Sequence, residues 1–555
     1  MEVIPISLPN SAFAFRRIRM HTLFIINARL AETPLKNALN TLIRDHWRLL
    51  GARIVGDLKK PHLSYHLPET FPDDNYDLFK WSSEEIDFPI DKALPQLNPS
   101  PSQSGKVTVL PLDPRSLAAR FSPREWPFQL SDAQDEPFLF VKLTLFTDAT
   151  VLSLSIPHIV CDALGLASLI RAWLGLVEGK TPPVMIGTRE DLLPGRKPFA
   201  EYAREEVTAK GRTRLKGRVD GVLVPLGFVP QLVRNFREER TVVLFPTGVV
   251  QRLRERIARG FVERGEADPG LTNSDVVTAI LAKFSRMDTK KKHMLSLSQT
   301  VNLRRRIPEL SDPNTTKGYI HNSIIYATSR FRFDHDVSLG DIARRNRESI
   351  SRTLQPDTID LYMAISRELT RRAKSQHICE PLEKSFHVTN WSSAWRRLDF
   401  TPALEGSAVK EHQDKTPRVL VLGESMESRS PCRFNSVVMC KTEEGYWVSF
   451  SAAEPTLKAV RKYLADDPEL KEMTRSSSYS SRLISESFAA EIMDARCSTG
   501  REYRAQMLDL DGQWEAMLAA YGTEIERGQA KDDDARITPV PTQDATPAAA
   551  HIHQT

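Results

Sequence analysis

The residues best suited to chemistry in this chain lie in SIPHIVCDALG at positions 155–165, where His158 precedes Asp162 by four. Histidine is the only side chain whose unperturbed pKa lies near neutrality, so His158 in a cleft suits a general base that strips a proton from a hydroxyl or amine attacking a carbonyl. Asp162 stands where a helix begins, and a carboxylate there complements the helix dipole. The bare spacing is unspecific, since thirteen histidines in 555 residues give about one such match by chance. A capping aspartate beside a hydrogen-bonded structural histidine fits the same letters.

Other candidates have less behind them. Cys161 lies between the pair, but a thiol nucleophile needs a lowered pKa, and a small buried cysteine is the simpler reading. No GxSxG elbow occurs, which weakens an α/β-hydrolase assignment. Gly175 to Gly179 imitates a phosphate loop but ends a helical pattern instead of following a strand. The cysteines at 161, 379, 432, 440 and 497 contain no CxxC pair, so neither a metal site nor a disulfide framework is indicated. VNLRRR at 301–306 ends an apolar run, and a cation there suits either a carboxylate from another domain or a surface loop. The basic clusters at 252–256 and 344–347 fall on amphipathic patterns and read as solvated faces.

These residues need elements to hold them. Phe138 to Phe146 and Val151 to Ile156 alternate around a TDAT turn as a hairpin, and Leu166, Leu169, Ile170, Trp173 and Val177 then recur at helical spacing. His158 and Asp162 thus sit where a strand ends and a helix starts. HTLFIINARL reads as a strand with a core face, and Leu35, Leu39, Leu42, Ile43, Trp47 and Leu50 form one helical stripe after Pro34. FAFRRIRM at 13–20 is basic enough to resemble a transit peptide, yet it runs straight into that strand.

Residues 60–135 read as loops and edge strands, and 180–239 as a crossover with short helices. A strand resumes at 241, with helices predicted at 247–259 and 273–287, the second capped by Thr272, Asn273 or Ser274. Strands follow at 295–303, 319–328, 418–422, 436–441 and 446–451, and helices between 338 and 375. The pattern predicts a mixed α/β or α+β protein in two domains: 1–185 carrying His158, a crossover at 186–239, and 240–475. Residues 476–527 read as a helical extension and 528–555 as a disordered tail.

Composition narrows the partners. The 76 basic and 71 acidic residues leave a formal charge of +5, which gives no argument for nucleic acid or membrane. No apolar run reaches the roughly 18 residues that span a bilayer. We expect a soluble cytoplasmic monomer with neither a metal nor a bound cofactor.

The order of motifs from about residue 15 to 460 resembles the BAHD superfamily of CoA-dependent acyltransferases, especially its fungal secondary-metabolism branch. LKNAL with LLGARI is similar to the family's first helix and "LAGR" turn, SIPHIVCDALG to its HxxxD segment, and TREDLL (188–193) to its "DR..L" piece. LTNSDVVTAIL (271–281), VNLRRR and GYIHNS (318–323) resemble three consecutive blocks of the second domain. TNW (389–391) with DF (399–400) resembles "SW…DFGWG". Two departures stand out: TPA replaces the end of DFGWG, and His321 occupies a usual glycine of "GY.GN", where a surface-loop histidine is expected ahead of a second polar group in the tunnel.

The resemblance implies two chloramphenicol-acetyltransferase-like domains around a tunnel, with acyl-CoA and a small hydroxylated acceptor entering from opposite sides. It implies His158 as the base, Asp162 as a structural residue pointing away from the tunnel with Arg304 as its partner, and Asn322, Asn390 and Trp391 as tunnel or substrate residues. O-acetylation of a fungal metabolite follows, with N-acylation as a variant. A non-catalytic tunnel-binding descendant and a nucleic-acid-binding regulator are the rival readings.

Overall fold

A strand buried on both faces carries the histidine. In Thr150–Pro157 every residue is buried: Leu152, Leu154 and Ile156 join the apolar core, while the alternate serines also face protein. Ser153 Oγ donates to the Phe121 carbonyl at 2.8 Å, and Ser155 Oγ accepts from the buried Arg19 at 3.0 Å. The alternation therefore marks a dry polar face, not a wet one. The computed structural model describes residues 1–474 except 73–75, 98–104, 128–129, 131–134, 290, 311–315, 335, 377–378, 407–415 and 425–430. The helical extension and tail predicted beyond 475 lie outside the described residues.

Two mixed sheets dominate. The first has five strands in the order Val419–Glu424, Arg19–Ile26, Thr150–Pro157, Phe140–Leu145 and Lys80–Glu85. Its inner three pair antiparallel, and the last pair is parallel. The second has seven, in the order Ile324–Phe333, His293–Asn302, Lys384–Asn390, Asn435–Lys441, Gly445–Ala453, Glu238–Pro246 and Thr108–Leu110. The halves exchange strands: Thr108–Leu110 completes the later sheet, and Val419–Glu424 pairs with Arg19–Ile26 in the earlier one. Such pairing between distant segments leaves no local trace in the sequence. This is the mixed α/β architecture the patterning predicts.

Helices cover the sheets by their apolar stripes. Ala163–Val177 lies against Glu32–Thr41, and Trp173 Nε1 donates to the Leu35 carbonyl at 2.8 Å. The predicted stripe from Leu35 to Leu50 is wholly buried, although the helix gives way to a wider π turn at Leu42–His46 and a 3-10 turn at Arg48–Gly51. Thr247–Glu263, Asn273–Phe284 and Leu339–Thr353 share a second core. Thr272 takes the cap, its N–H and hydroxyl both reaching Asp275. That carboxylate also draws in Arg347 and Asn346, so the basic cluster at 344–347 is not simply a solvated face.

Other expectations need correction. The strand predicted from 319 begins at Ile324, because the carbonyls of Tyr319, Ile320 and His321 turn inward to the Arg304 guanidinium instead of joining a ladder. The strand Lys384–Asn390 falls where the patterning predicts none; it runs parallel to both neighbours, so no hairpin turn marks it. Pro114–Phe121 is a helix inside the predicted loop region, with Pro114 at its first turn and Asp113 accepting from the Arg115 N–H at 3.0 Å. FAFRRIRM is built into the fold, with Arg16 and Arg19 buried.

The crossover consists of short helices at Arg204–Thr208, Arg218–Leu226 and Val229–Arg234. Ion pairs hold it down: the buried Arg214 meets Glu380 at 2.6 Å, and Arg367 meets Asp191 at 2.8 Å. No described helix is long and apolar enough to cross a membrane.

Candidate active site

His158 leaves the end of its strand on a tight turn, its N–H donating to the Ile18 carbonyl at 2.9 Å. Four residues later Asp162 caps the helix Ala163–Val177, its Oδ1 accepting from the Gly165 N–H at 2.9 Å. Gly165 is required there, because a Cβ would stand 1.8 Å from the Ile320 carbonyl oxygen. The helix start and the 319–323 loop are thereby pressed together.

Asp162 points into that loop. Arg304 Nη1 donates to Asp162 Oδ2 at 2.9 Å, and the Ser323 N–H donates to the same oxygen at 3.1 Å. Arg304 also donates to the carbonyls of Tyr319, Ile320 and His321 and to Asn302 Oδ1. One guanidinium therefore gathers the HxxxD turn, the end of the strand His293–Asn302 and the 319–323 loop. Of the two sequence readings for VNLRRR, the carboxylate anchor is what the fold contains.

Asn322 completes the frame. Its Nδ2 donates to the His158 carbonyl at 2.8 Å and to Asn10 Oδ1 at 3.1 Å, while its N–H donates to Asn10 Oδ1 at 3.0 Å. His321 is not a surface-loop residue: it is 2% exposed, with Nδ1 3.1 Å from the Val160 carbonyl. A carbonyl can only accept, so the proton is on Nδ1. Burial lowers the His321 pKa to about 4, which keeps it neutral. It walls a cavity of about 310 Å³ with Tyr65, Asn10 and Arg367.

The His158 ring is 9% exposed and lies flat against Phe15, centroids 4.5 Å apart and planes 10° from parallel. Burial pushes its pKa below the ordinary value; its own carbonyl, Asp162 and Asn322 act in the other direction without offsetting this. The imidazole is therefore neutral near pH 7. Nδ1 is enclosed in the fold, so Nε2 is the ring nitrogen that can offer a lone pair to a substrate, as a base requires. Cys161 is fully buried, and desolvation raises its pKa well above normal, which leaves a protonated thiol and no nucleophile.

Asn390 and Trp391 stand apart from this cluster. Asn390 Nδ2 donates to Ser274 Oγ at 3.0 Å and its Oδ1 accepts from Ser392 Oγ at 2.7 Å. Trp391 is buried in the apolar core. Sequence reasoning missed Asn10, Phe15 and Gly165. Only Gly165 had a visible signal, a glycine in the first turn of a helix, where it is otherwise unfavourable. Among the described residues, no three His, Cys, Asp or Glu side chains form a cluster suited to a metal ion.

A model described as the transferase family matches residues 118–401, half the chain and the whole of this cluster except the N-terminal segment. The chain belongs to the BAHD transferase family. This BAHD protein is similar to acetyltransferase adrJ of Penicillium rubens, at 23% identity over 75% of this chain and 85% of that one. It is 26% identical to O-acyltransferase pboC of Aspergillus ustus over 66% and 78% of the two chains, and 22% identical to transcriptional regulator calD of Penicillium decumbens over 84% and 96%. Among solved structures, TRI101 of F. sporotrichioides, complexed with coenzyme A and T-2, superposes with a TM-score of 0.57 at 12% identity. It covers 84% of this chain and 98% of its own. The BAHD chain is an acyltransferase.

Proposed function

We propose that this protein is an acyl-CoA-dependent O-acyltransferase, acting as a cytoplasmic monomer, that transfers an acetyl group to a hydroxyl of a fungal secondary metabolite. The observation that carries this reading is the neutral His158 imidazole at the end of a rigid strand, its backbone tied to Ile18 and Asn322. His158 Nε2 takes the acceptor's hydroxyl proton as the oxygen attacks the thioester carbonyl carbon. The tetrahedral oxyanion then collapses, the C–S bond breaks, and the imidazolium returns its proton to the leaving thiolate to give free CoA. No acyl-enzyme is needed. Asp162 and Arg304 serve by locking the turn, Asn322 by holding the His158 carbonyl, and Asn390 by lining the substrate channel.

In this reading residues 1–185 and 240–475 are the two chloramphenicol-acetyltransferase-like domains, 186–239 joins them, and donor and acceptor approach His158 from opposite sides. The acetyltransferase adrJ and the O-acyltransferase pboC support acetyl transfer to oxygen, and coenzyme A in the TRI101 complex supports the donor class.

The test is direct. Purified protein is incubated with acetyl-CoA and a panel of hydroxylated metabolites, and free thiol is followed beside a His158→Ala variant. Product formation that this substitution leaves unchanged removes the mechanism. The name of calD favours a second reading, a nucleic-acid-binding regulator without turnover. Salt-sensitive DNA binding with no thiol release is the result that would replace the enzyme by it.

A further inference from the structure

The backbone of His158 is held firmly, but no hydrogen bond holds the ring at Nδ1. That nitrogen is buried and has no hydrogen-bond partner among the described residues. The second side-chain torsion of histidine is broad and roughly two-fold, so something else must define the ring plane. Phe15 lies parallel to it at 4.5 Å and is itself only 8% exposed. The segment bearing Phe15 is fastened on both sides. Asn10 Oδ1 accepts twice from Asn322, Arg16 Nη1 donates to the Leu58 carbonyl at 2.9 Å, and the Arg17 carbonyl accepts from the Leu130 N–H at 3.1 Å. The Arg17 guanidinium sits 4.4 Å above the Phe13 ring.

We propose that Phe15 is a positioning residue for the reaction: its ring sets the plane in which His158 presents Nε2, and its π face meets the imidazolium formed when that nitrogen takes the acceptor's proton. This rests on His158 acting as the base. A flat contact leaves the imidazole free to slide slightly but not to turn, so the lone pair keeps one direction through the cycle. The quadrupole of an aromatic ring attracts a cation over its face, and that attraction is greatest after proton transfer, which favours the charged transition state over the neutral ground state.

The experiment compares full-length wild type with Phe15→Leu, Phe15→Tyr and His158→Ala. Melting temperature, kcat and KM for acetyl-CoA by thiol release, and the His158 ring signals in histidine-labelled NMR spectra are measured for each. Leucine keeps most of the cover and removes the plane and the π face, whereas tyrosine keeps both. We expect Phe15→Leu to lower kcat about tenfold with KM unchanged, and to shift and broaden the His158 ring signals. Phe15→Tyr should stay within about twofold of wild type. If Phe15→Leu does not fold, Phe15→Met replaces it with the same expectation. A Phe15→Leu protein with full kcat, a Phe15→Tyr protein as impaired as Phe15→Leu, or a loss confined to KM overturns the proposal. His158→Ala with full turnover removes the base itself, whereas an inactive His158→Ala beside a fully active Phe15→Leu removes only the role of Phe15.

Discussion

Arg304 Nη2 stands 2.9 Å from Asp162 Oδ1 while its Nη1 donates to Oδ2 at the same distance, a two-pronged pair across 142 residues of sequence. The side chains are only 12% and 4% exposed, so solvent screens the pair weakly. Asp162→Asn leaves the guanidinium without its anion while its carbonyl partners remain. We expect a loss of about 2–4 kcal/mol in urea unfolding together with lower turnover. A variant of unchanged stability and full activity contradicts the locking role.

Removing the imidazole tests chemistry without touching that lock. His158→Ala should reduce kcat by about 10²- to 10⁴-fold while its melting temperature stays close to wild type. Circular dichroism melts beside thiol-release kinetics separate the two effects.

The pH behaviour follows from burial. His158 is pushed below the ordinary histidine value, so the acid limb of kcat/KM should fall below pH 6.5. Stability moves in the same sense: burial lowers His321 and His387 to about 4 and His21 to about 3. The unfolded chain binds protons at these sites near pH 6.5 and the folded chain does not. Stability is therefore complete above 6.5 and declines as pH falls toward 4, at up to about 1.4 kcal/mol per pH unit for each histidine. Urea midpoints at pH 7, 6 and 5 measure it, and a flat series contradicts it.

Gly165→Ala places a methyl 1.8 Å from the Ile320 carbonyl oxygen, and backbone on both sides must move. We expect a loss of about 1–3 kcal/mol, with activity reduced because the shift runs into the loop that holds His158. An alanine variant that melts like wild type contradicts this close approach.

Cys161 supplies a negative control for covalent catalysis. Its thiol is buried and protonated, so Cys161→Ala should retain turnover within a few-fold, and iodoacetamide should leave the native enzyme active. Inactivation by stoichiometric modification at this position would restore a nucleophilic role.

Much of this was legible along the chain. The hairpin before His158 showed as alternation, the helix after Asp162 as a 3.6-residue period, and the order of short motifs carried the family. Lys384–Asn390 was missed because a parallel strand between two parallel neighbours carries no turn signal. His321 was misread because exposure is a property of the packed chain: the glycine-like position sits under Val160 and beside a cavity, not on the surface.

By itself the sequence determined the local periods, the caps and the placing of a histidine and an aspartate on one strand-to-helix turn, because each depends on neighbours within a few residues. The tertiary structure alone decided what meets that turn. Arg304, Asn322, Phe15 and Ile320 arrive from segments separated by well over a hundred positions, and burial then sets the charge state of the imidazole. Side-chain identity supplies a group's intrinsic proton affinity; the desolvation and contacts that shift it arise only when distant parts of the chain close around it.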